Sequence, residues 1–198
     1  AKNIEIFNKI HSDKNFFLWK LYFIEIFQEQ RGFDIVIGNP PYIGEQDNKS
    51  KFQEVRNASS LRKFYQGKMD YHYFFFHLAL NILKDEGILN YITTSYFTTS
   101  TAGKKLRKDI KSRGSFLELI DFNELKIFKS AQGQHNLIST IIKSSENYSC
   151  KTIETYKKGD SSQGQLKKIL YHRDKESSYK NIESKKIFDG QSDYIRLS

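Results

Sequence analysis

The stretch "FDIVIGNPPYIGEQDN", residues 33–48, decides the reading of the chain. Its first six residues are a nearly continuous apolar run rich in β-branched side chains, the pattern of a short strand covered on both faces. Two prolines then stop the run. Pro40 biases Asn39 away from the helical region, and each proline fixes its own φ, so Asn39-Pro40-Pro41-Tyr42 is a stiff turn at the strand's carboxyl end. In an open parallel sheet, ligands collect at that end. Proline offers no amide hydrogen. The side-chain oxygen of Asn39 and the carbonyl of Pro40 can therefore both accept from one amino group. Tyr42 can stack on a ring bearing that group, a contact worth about 1–3 kcal/mol for a nucleobase. The same four residues can equally do no more than end a strand, with Tyr42 filling a gap.

Outward from this turn, strand patterns recur at 87–94 ("GILNYITT"), 117–122 ("LELIDF") and 136–143 ("NLISTIIK"). Helical patterns lie between them, one over 71–83 with Asp70 as its expected cap and one over 102–114 starting at Thr101. The alternation predicts an α/β fold, a mostly parallel sheet with helices on its faces that ends in an antiparallel hairpin. "FFLWKLYFIEIF" (16–27) fits helix or strand, its aromatics being read as packing groups. Beyond Cys150 the chain is polar, with a weak strand, a crossing at "GDSSQG", a short helix and an incompletely specified end. Two regions are expected, 1–145 and a basic, polar extension over 146–198.

The chain has 198 residues, 38% of them apolar, 15% aromatic and 28% charged, which fits a folded globular protein. Its net charge of +9 favours a polyanionic partner. Cys150 is the only cysteine, which excludes an intramolecular disulfide and a cysteine-based zinc finger. No apolar run approaches the length of a membrane span, so no membrane partner is expected, and an intracellular location is the default expectation. After the turn, Lys49, Lys51, Arg56, Arg62, Lys63 and Lys68 face a single acid, Glu54, and are candidate phosphate contacts or a solvated surface. A second basic run, Lys104–Arg113, is read as solvent-exposed. His72 and His77 stand five apart and do not share a helix face, so no metal site is predicted.

The tetrad Asn39-Pro40-Pro41-Tyr42 after "FDIVIG" resembles the catalytic motif of S-adenosylmethionine-dependent adenine-N6 DNA methyltransferases of restriction-modification systems. The likeness continues in order through "GKMDYHYFFFHLALNILKDEGILNYITTSYF", "LRKDI" and "LIDFNELKIFKSAQGQHNLISTIIK", over roughly residues 20–145. It is strongest to large single-chain type II enzymes that combine restriction and modification. The resemblance implies a Rossmann-like methyltransferase fold, double-stranded DNA as partner and direct methyl transfer to a flipped adenine. It places Asn39 and Pro40 on the target amino group, Tyr42 and Phe128 against the base, and Asp70 and Ile43 on the cofactor side. The family's glycine-rich donor loop and following acidic residue have no counterpart here. The chain therefore resembles the second part of a catalytic domain that needs the remainder of a parent chain, with 146–198 leading toward DNA recognition. A protein-glutamine or RNA amino methyltransferase and a non-catalytic DNA-binding or interaction fragment are the alternatives.

The absent donor loop generates the first prediction. Titration calorimetry of the isolated chain with S-adenosylmethionine should show weak binding or none, and one tight stoichiometric site would overturn the reading.

Overall fold

The computed structural model describes residues 19–58, 60–128 and 135–197. The first strand, β1 (Phe33–Gly38), follows two short helices, α1 (Trp19–Tyr22) and α2 (Ile24–Glu29). Trp19, Phe23 and Phe27 set their rings edge-on to Phe33, at centroid distances of 5.9, 5.1 and 5.5 Å, so this aromatic segment is helical packing material. Residues 16–18 of that segment lie outside the described residues. Next come α3 (Lys49–Asn57), α4 (His72–Ile82), β2 (Leu83–Thr94), α5 (Lys104–Arg113) and β3 (Ser115–Asp121). The chain continues through β4 (Leu125–Lys126), β5 (Asn136–Ile142), β6 (Ser149–Thr155), β7 (Gly159–Asp160), α6 (Gln163–Leu170) and β8 (Ser177–Glu183).

Six strands form one mixed sheet in the order β1-β2-β5-β3-β6-β8. β1 pairs parallel with β2, and β3 pairs parallel with β6. β5 runs antiparallel to both β2 and β3, and β8 runs antiparallel to β6. This is the expected α/β architecture, consistent with a Rossmann-like methyltransferase fold. The antiparallel hairpin of β3 and β5 stands inside the sheet. The main core packs Phe76, Leu80, Leu89, Phe97, Leu106, Ile110 and Leu119, all fully buried. Ile187, Phe188 and Ile195 join the same cluster, and β6 and β8 extend the same sheet, so the polar extension is built onto the first region.

Several local expectations are corrected. Among the described residues β1 is an edge strand with one face open, since Ile35 and Ile37 are 63% and 77% exposed. An apolar run marks a strand that can be covered on both faces, and the described residues cover only one of them. The helix expected from Thr101 is capped by Ser100, whose Oγ accepts from the Gly103 amide at 3.1 Å, and it begins with a 3₁₀ turn. Gly103 is required by close approach: a Cβ there would lie 2.4 Å from the Phe97 carbonyl oxygen.

The second basic run is only partly solvated. Arg107 is buried and donates to the carbonyls of Phe97 (2.8 Å), Ser100 (2.7 Å) and Ser192 (3.4 Å), with its guanidinium over the Tyr194 ring. Lys105 donates to the carbonyls of Lys63 and Tyr65, Lys111 pairs with Asp193, and Arg113 pairs with Asp109. Charge alone concealed these roles, because a fork of five donors serves buried carbonyls as readily as it serves water. No helix among the described residues is long and apolar enough to cross a membrane.

Arg107 thus joins α5, the turn after β2 and the C-terminal segment. Arg107→Leu is expected to lower stability by about 2–4 kcal/mol, because it orphans buried carbonyls. Limited proteolysis should then cut first near Ser192. An unchanged urea midpoint together with an unchanged cleavage pattern would refute the clamp.

Candidate active site at the carboxyl end of β1

The turn after β1 is held from several directions. Tyr91 packs beneath the strand end, where a Cβ at Gly38 would lie 3.2 Å from its ring. Beyond the prolines the Ile43 amide donates back to the Pro41 carbonyl at 3.2 Å. The chain is then zipped to the entry of α4: Tyr71 donates to the Ile43 carbonyl at 2.7 Å, and Glu45 donates to that of Met69 at 2.9 Å. A bridge between Gly44 and Asp70 lies between these bonds. The tetrad is therefore fixed by proline stereochemistry on one side and by backbone pairing on the other.

Within it, Asn39 is exposed and Pro40 buried. Neither the Asn39 side chain nor the Pro40 carbonyl makes a hydrogen bond to any described residue, so both acceptors remain open. Tyr42 is half-buried, and its hydroxyl donates to the Ile92 carbonyl on β2 at 3.1 Å. Burial raises its pKa, opposed by the nearby Asn136 amide. The tyrosine is pinned at both ends, and its ring plane is thereby set. Beside it lies His72, ring centroids 5.9 Å apart at 70°. His72 is fully buried, with no partner for either ring nitrogen, and burial pushes its pKa down to about 3.

Asp70 does not cap the helix as expected. Tyr71 occupies the cap position without a side-chain bond, and the Asp70 carboxyl faces the Tyr73 hydroxyl instead. That hydroxyl also meets Ser100 Oγ at 3.3 Å. Burial raises the Asp70 pKa. Asp70 lines a cavity of about 820 Å³ whose other walls include Glu45, Tyr65 and Met69. Glu45 is fixed there by the Tyr65 hydroxyl at 2.5 Å. Lys49, Arg56 and Lys68 line the same cavity, whereas Lys51, Arg62 and Lys63 are exposed on the adjoining surface. Arg56 lies over the Tyr65 ring and Lys63 over Phe64. Ile43 is half-buried and packs on the main core.

Phe128 is half-buried on the connection from β3 to β5, whose residues 129–134 lie outside the described set. Its loop is braced. Asn123 donates to the Thr155 carbonyl at 2.9 Å, and β4 pairs with β7. Both Phe128 and Tyr42 therefore leave the sheet at its carboxyl end, two connections apart. Sequence reasoning missed the buried His72 beneath this site and the pairing of 43–45 with 69–71. A histidine flanked by tyrosines and phenylalanines was the available signal for the first. His77, also buried, stacks on Phe64 at 3.6 Å and meets Asp109 at 2.5 Å.

Residues 1–128 match the family described as Eco57I restriction-modification methylase. The chain is 31% identical over 127 residues to the type II restriction enzyme and methyltransferase RM.Eco57I of Escherichia coli, covering 64% of this chain and 13% of that one. It is 33% identical over 112 residues to the type II methyltransferase M.HincII of Haemophilus influenzae, covering 56% and 21%. The chain thus spans about a fifth or less of these relatives. In fold it is similar to a type I restriction-modification methyltransferase subunit from Streptococcus thermophilus, with a TM-score of 0.57 and 18% identity over 86% of this chain and 38% of that one. It is also similar to the type ISP enzyme LlaGI, with a TM-score of 0.55 and 20% identity over 87% and 16%.

The neutral His72 makes a pH prediction. Its folded pKa lies below the ordinary histidine value, so its stabilising neutrality is complete above about pH 6.5 and is lost as pH falls toward 3. Between pH 7 and pH 4, wild type should lose about 2–3 kcal/mol more stability than His72→Phe in urea melts. Parallel losses in the two proteins would refute the assignment.

Proposed function

The chain belongs to the Eco57I restriction-modification methylase family, and we propose that it supplies the substrate side of an S-adenosylmethionine-dependent methyltransferase acting on adenine N6 in duplex DNA. The observation that carries the reading is the pair of open acceptors, Asn39 and Pro40, on a turn that cannot relax. An exocyclic amine carries two hydrogens, and two acceptors side by side orient it while leaving its nitrogen lone pair free. A backbone carbonyl fixed beforehand, as that of Pro40 is by the turn, also favours the positive charge that grows on the amine as a methyl group is attached.

Tyr42 provides the stacking face, held at the angle set by its bond to Ile92 and its contact with His72. Phe128, carried on the braced loop after β3, closes over the base from its other side in this reading. A base inside a duplex cannot reach such a turn, so it must leave the stack at a cost of a few kcal/mol, partly offset by these two rings. Lys49, Lys51, Arg56, Arg62, Lys63 and Lys68 are proposed to hold phosphates beside the target. Such contacts position the duplex without reading its sequence.

S-adenosylmethionine would supply an electrophilic sulfonium methyl group. The residues present fit one side of such a donor. Ile43 offers an apolar wall, and Asp70 faces a cavity large enough for a nucleoside-sized group. The chain contains no Asp/Asn-Pro-x-x-Gly-x-Gly cradle, so the remaining hold is assigned to other parts of a parent protein. In this reading the chain alone does not turn over, and residues 146–198 lead from the catalytic region toward one that recognises DNA.

Asn39→Ala in the complete parent protein is expected to reduce the single-turnover methylation rate about 10²–10³-fold while leaving duplex affinity largely unchanged. An unaltered rate would sink the assignment. A loss of affinity equal to the loss of rate would move Asn39 from chemistry to binding.

A further inference from the structure

We propose that α6 and the turn joining it to β8 form a second phosphate-binding surface for duplex DNA, separate from the basic residues beside the β1 turn. The connection from β6 to β8 leaves the sheet at its carboxyl end, as do the tetrad after β1 and the Phe128 loop after β3. α6 is anchored there by its apolar side. Ile169 is fully buried against Ile120, Phe122, Leu125 and Ile153, and Leu166 packs beside it. A capping box at Ser162 and Gln165 fixes the helix start, and His172, with φ of 56°, lies just beyond its end and stacks on Tyr179 at 4.6 Å.

Four cations project from this anchored unit: Lys167, Lys168, Arg173 and Lys175, all exposed. None has a carboxylate partner among the described residues. Lys157 pairs with both nearby acids, Asp174 and Glu176, so this cluster leaves one negative charge against the cations beside it, and Asp174 is buried. The surface therefore shows uncompensated positive charge, mixed with the exposed side chains of Leu170 and Tyr171. Several other cations differ, as Lys105, Arg107, Lys111, Arg113, Lys157 and Lys158 are each bound to protein groups. An anchored surface on which cations outnumber acids matches a polyanion of fixed phosphate spacing.

Geometry favours a duplex. β6 stands four strand intervals from β1, about 19 Å at the ordinary strand spacing. That distance is roughly half a turn of B-form DNA, so one duplex lying along the carboxyl rim meets both basic surfaces. The choice of duplex DNA rests on the function proposed above; the presence of a polyanion surface does not.

The test uses the 198-residue chain, a fluorescent duplex and anisotropy titrations across a salt series. The variant Lys167→Gln/Lys168→Gln/Arg173→Gln/Lys175→Gln should bind at least tenfold more weakly in low salt. Its log K against log salt slope should be shallower by about 2–4, at about 0.9 per phosphate contact. Lys185→Gln/Lys186→Gln, at the far end of β8, serves as the control and should change neither quantity. Thermal melts establish that each variant is folded. Unchanged affinity in the α6 variant, equal losses in the control, no binding of duplex by wild type, or tighter binding of an RNA hairpin would each overturn the proposal. Asn39→Ala is titrated alongside: if the methyl-transfer reading fails but this surface is real, binding still depends on the α6 cations.

Discussion

β5 pairs on one side with β2 and on the other with β3, so every ladder hydrogen bond between the β1–β2 part of the sheet and the β3–β6–β8 part passes through Asn136–Ile142. Seven register pairs tie it to β2 and six to β3. The candidate site depends on this strand too. Tyr42 reaches across to β2 beside Asn136, and Phe128 lies on the connection between β3 and β5. An antiparallel strand set among parallel neighbours thus holds the two connections that would receive a base at a fixed separation. Its own sequence, alternating little and rich in isoleucine, fits burial on both faces.

Much of this arrangement was legible from residue pattern. β1 occupies 33–38 as read, because an apolar β-branched run followed by two prolines has one local solution. β3 and β5 differ from expectation by a residue or two, and "QGQLKKIL" forms the short helix anticipated after "GDSSQG". What escaped depended on partners distant in sequence. β8 lacks apolar alternation and exists because β6 offers seven pairing positions at an otherwise open edge. Asp70 fits a cap by spacing, yet the Tyr73 hydroxyl and the bridge to Gly44 claim it. Arg107 reads as one charge in a basic run until the fold closes over it.

The candidate site follows the same division. Asn39, Pro40 and Tyr42 were legible because proline stereochemistry is local, and the structure adds that two of their acceptors stay open while the tyrosine is pinned. Phe128 was placed through resemblance, and the brace from β7 and Thr155 is visible only in three dimensions. His72 had no sequence signal strong enough to distinguish a buried imidazole from a surface one. The exposed Ile35 and Ile37 are the converse case, apolar residues that read as buried and that no described residue covers.

The chain's one thiol lies on β6, between β3 and β8, with its side chain wholly buried and its pKa pushed up to about 12 by that burial. A thiol in that state is inert to alkylation, because it is neither ionised nor reachable. Cys150 becomes reactive only when the β6 region of the sheet opens. A single labelling rate therefore counts openings of that region directly, with no engineered probe, and the protein carries its own clock for local unfolding.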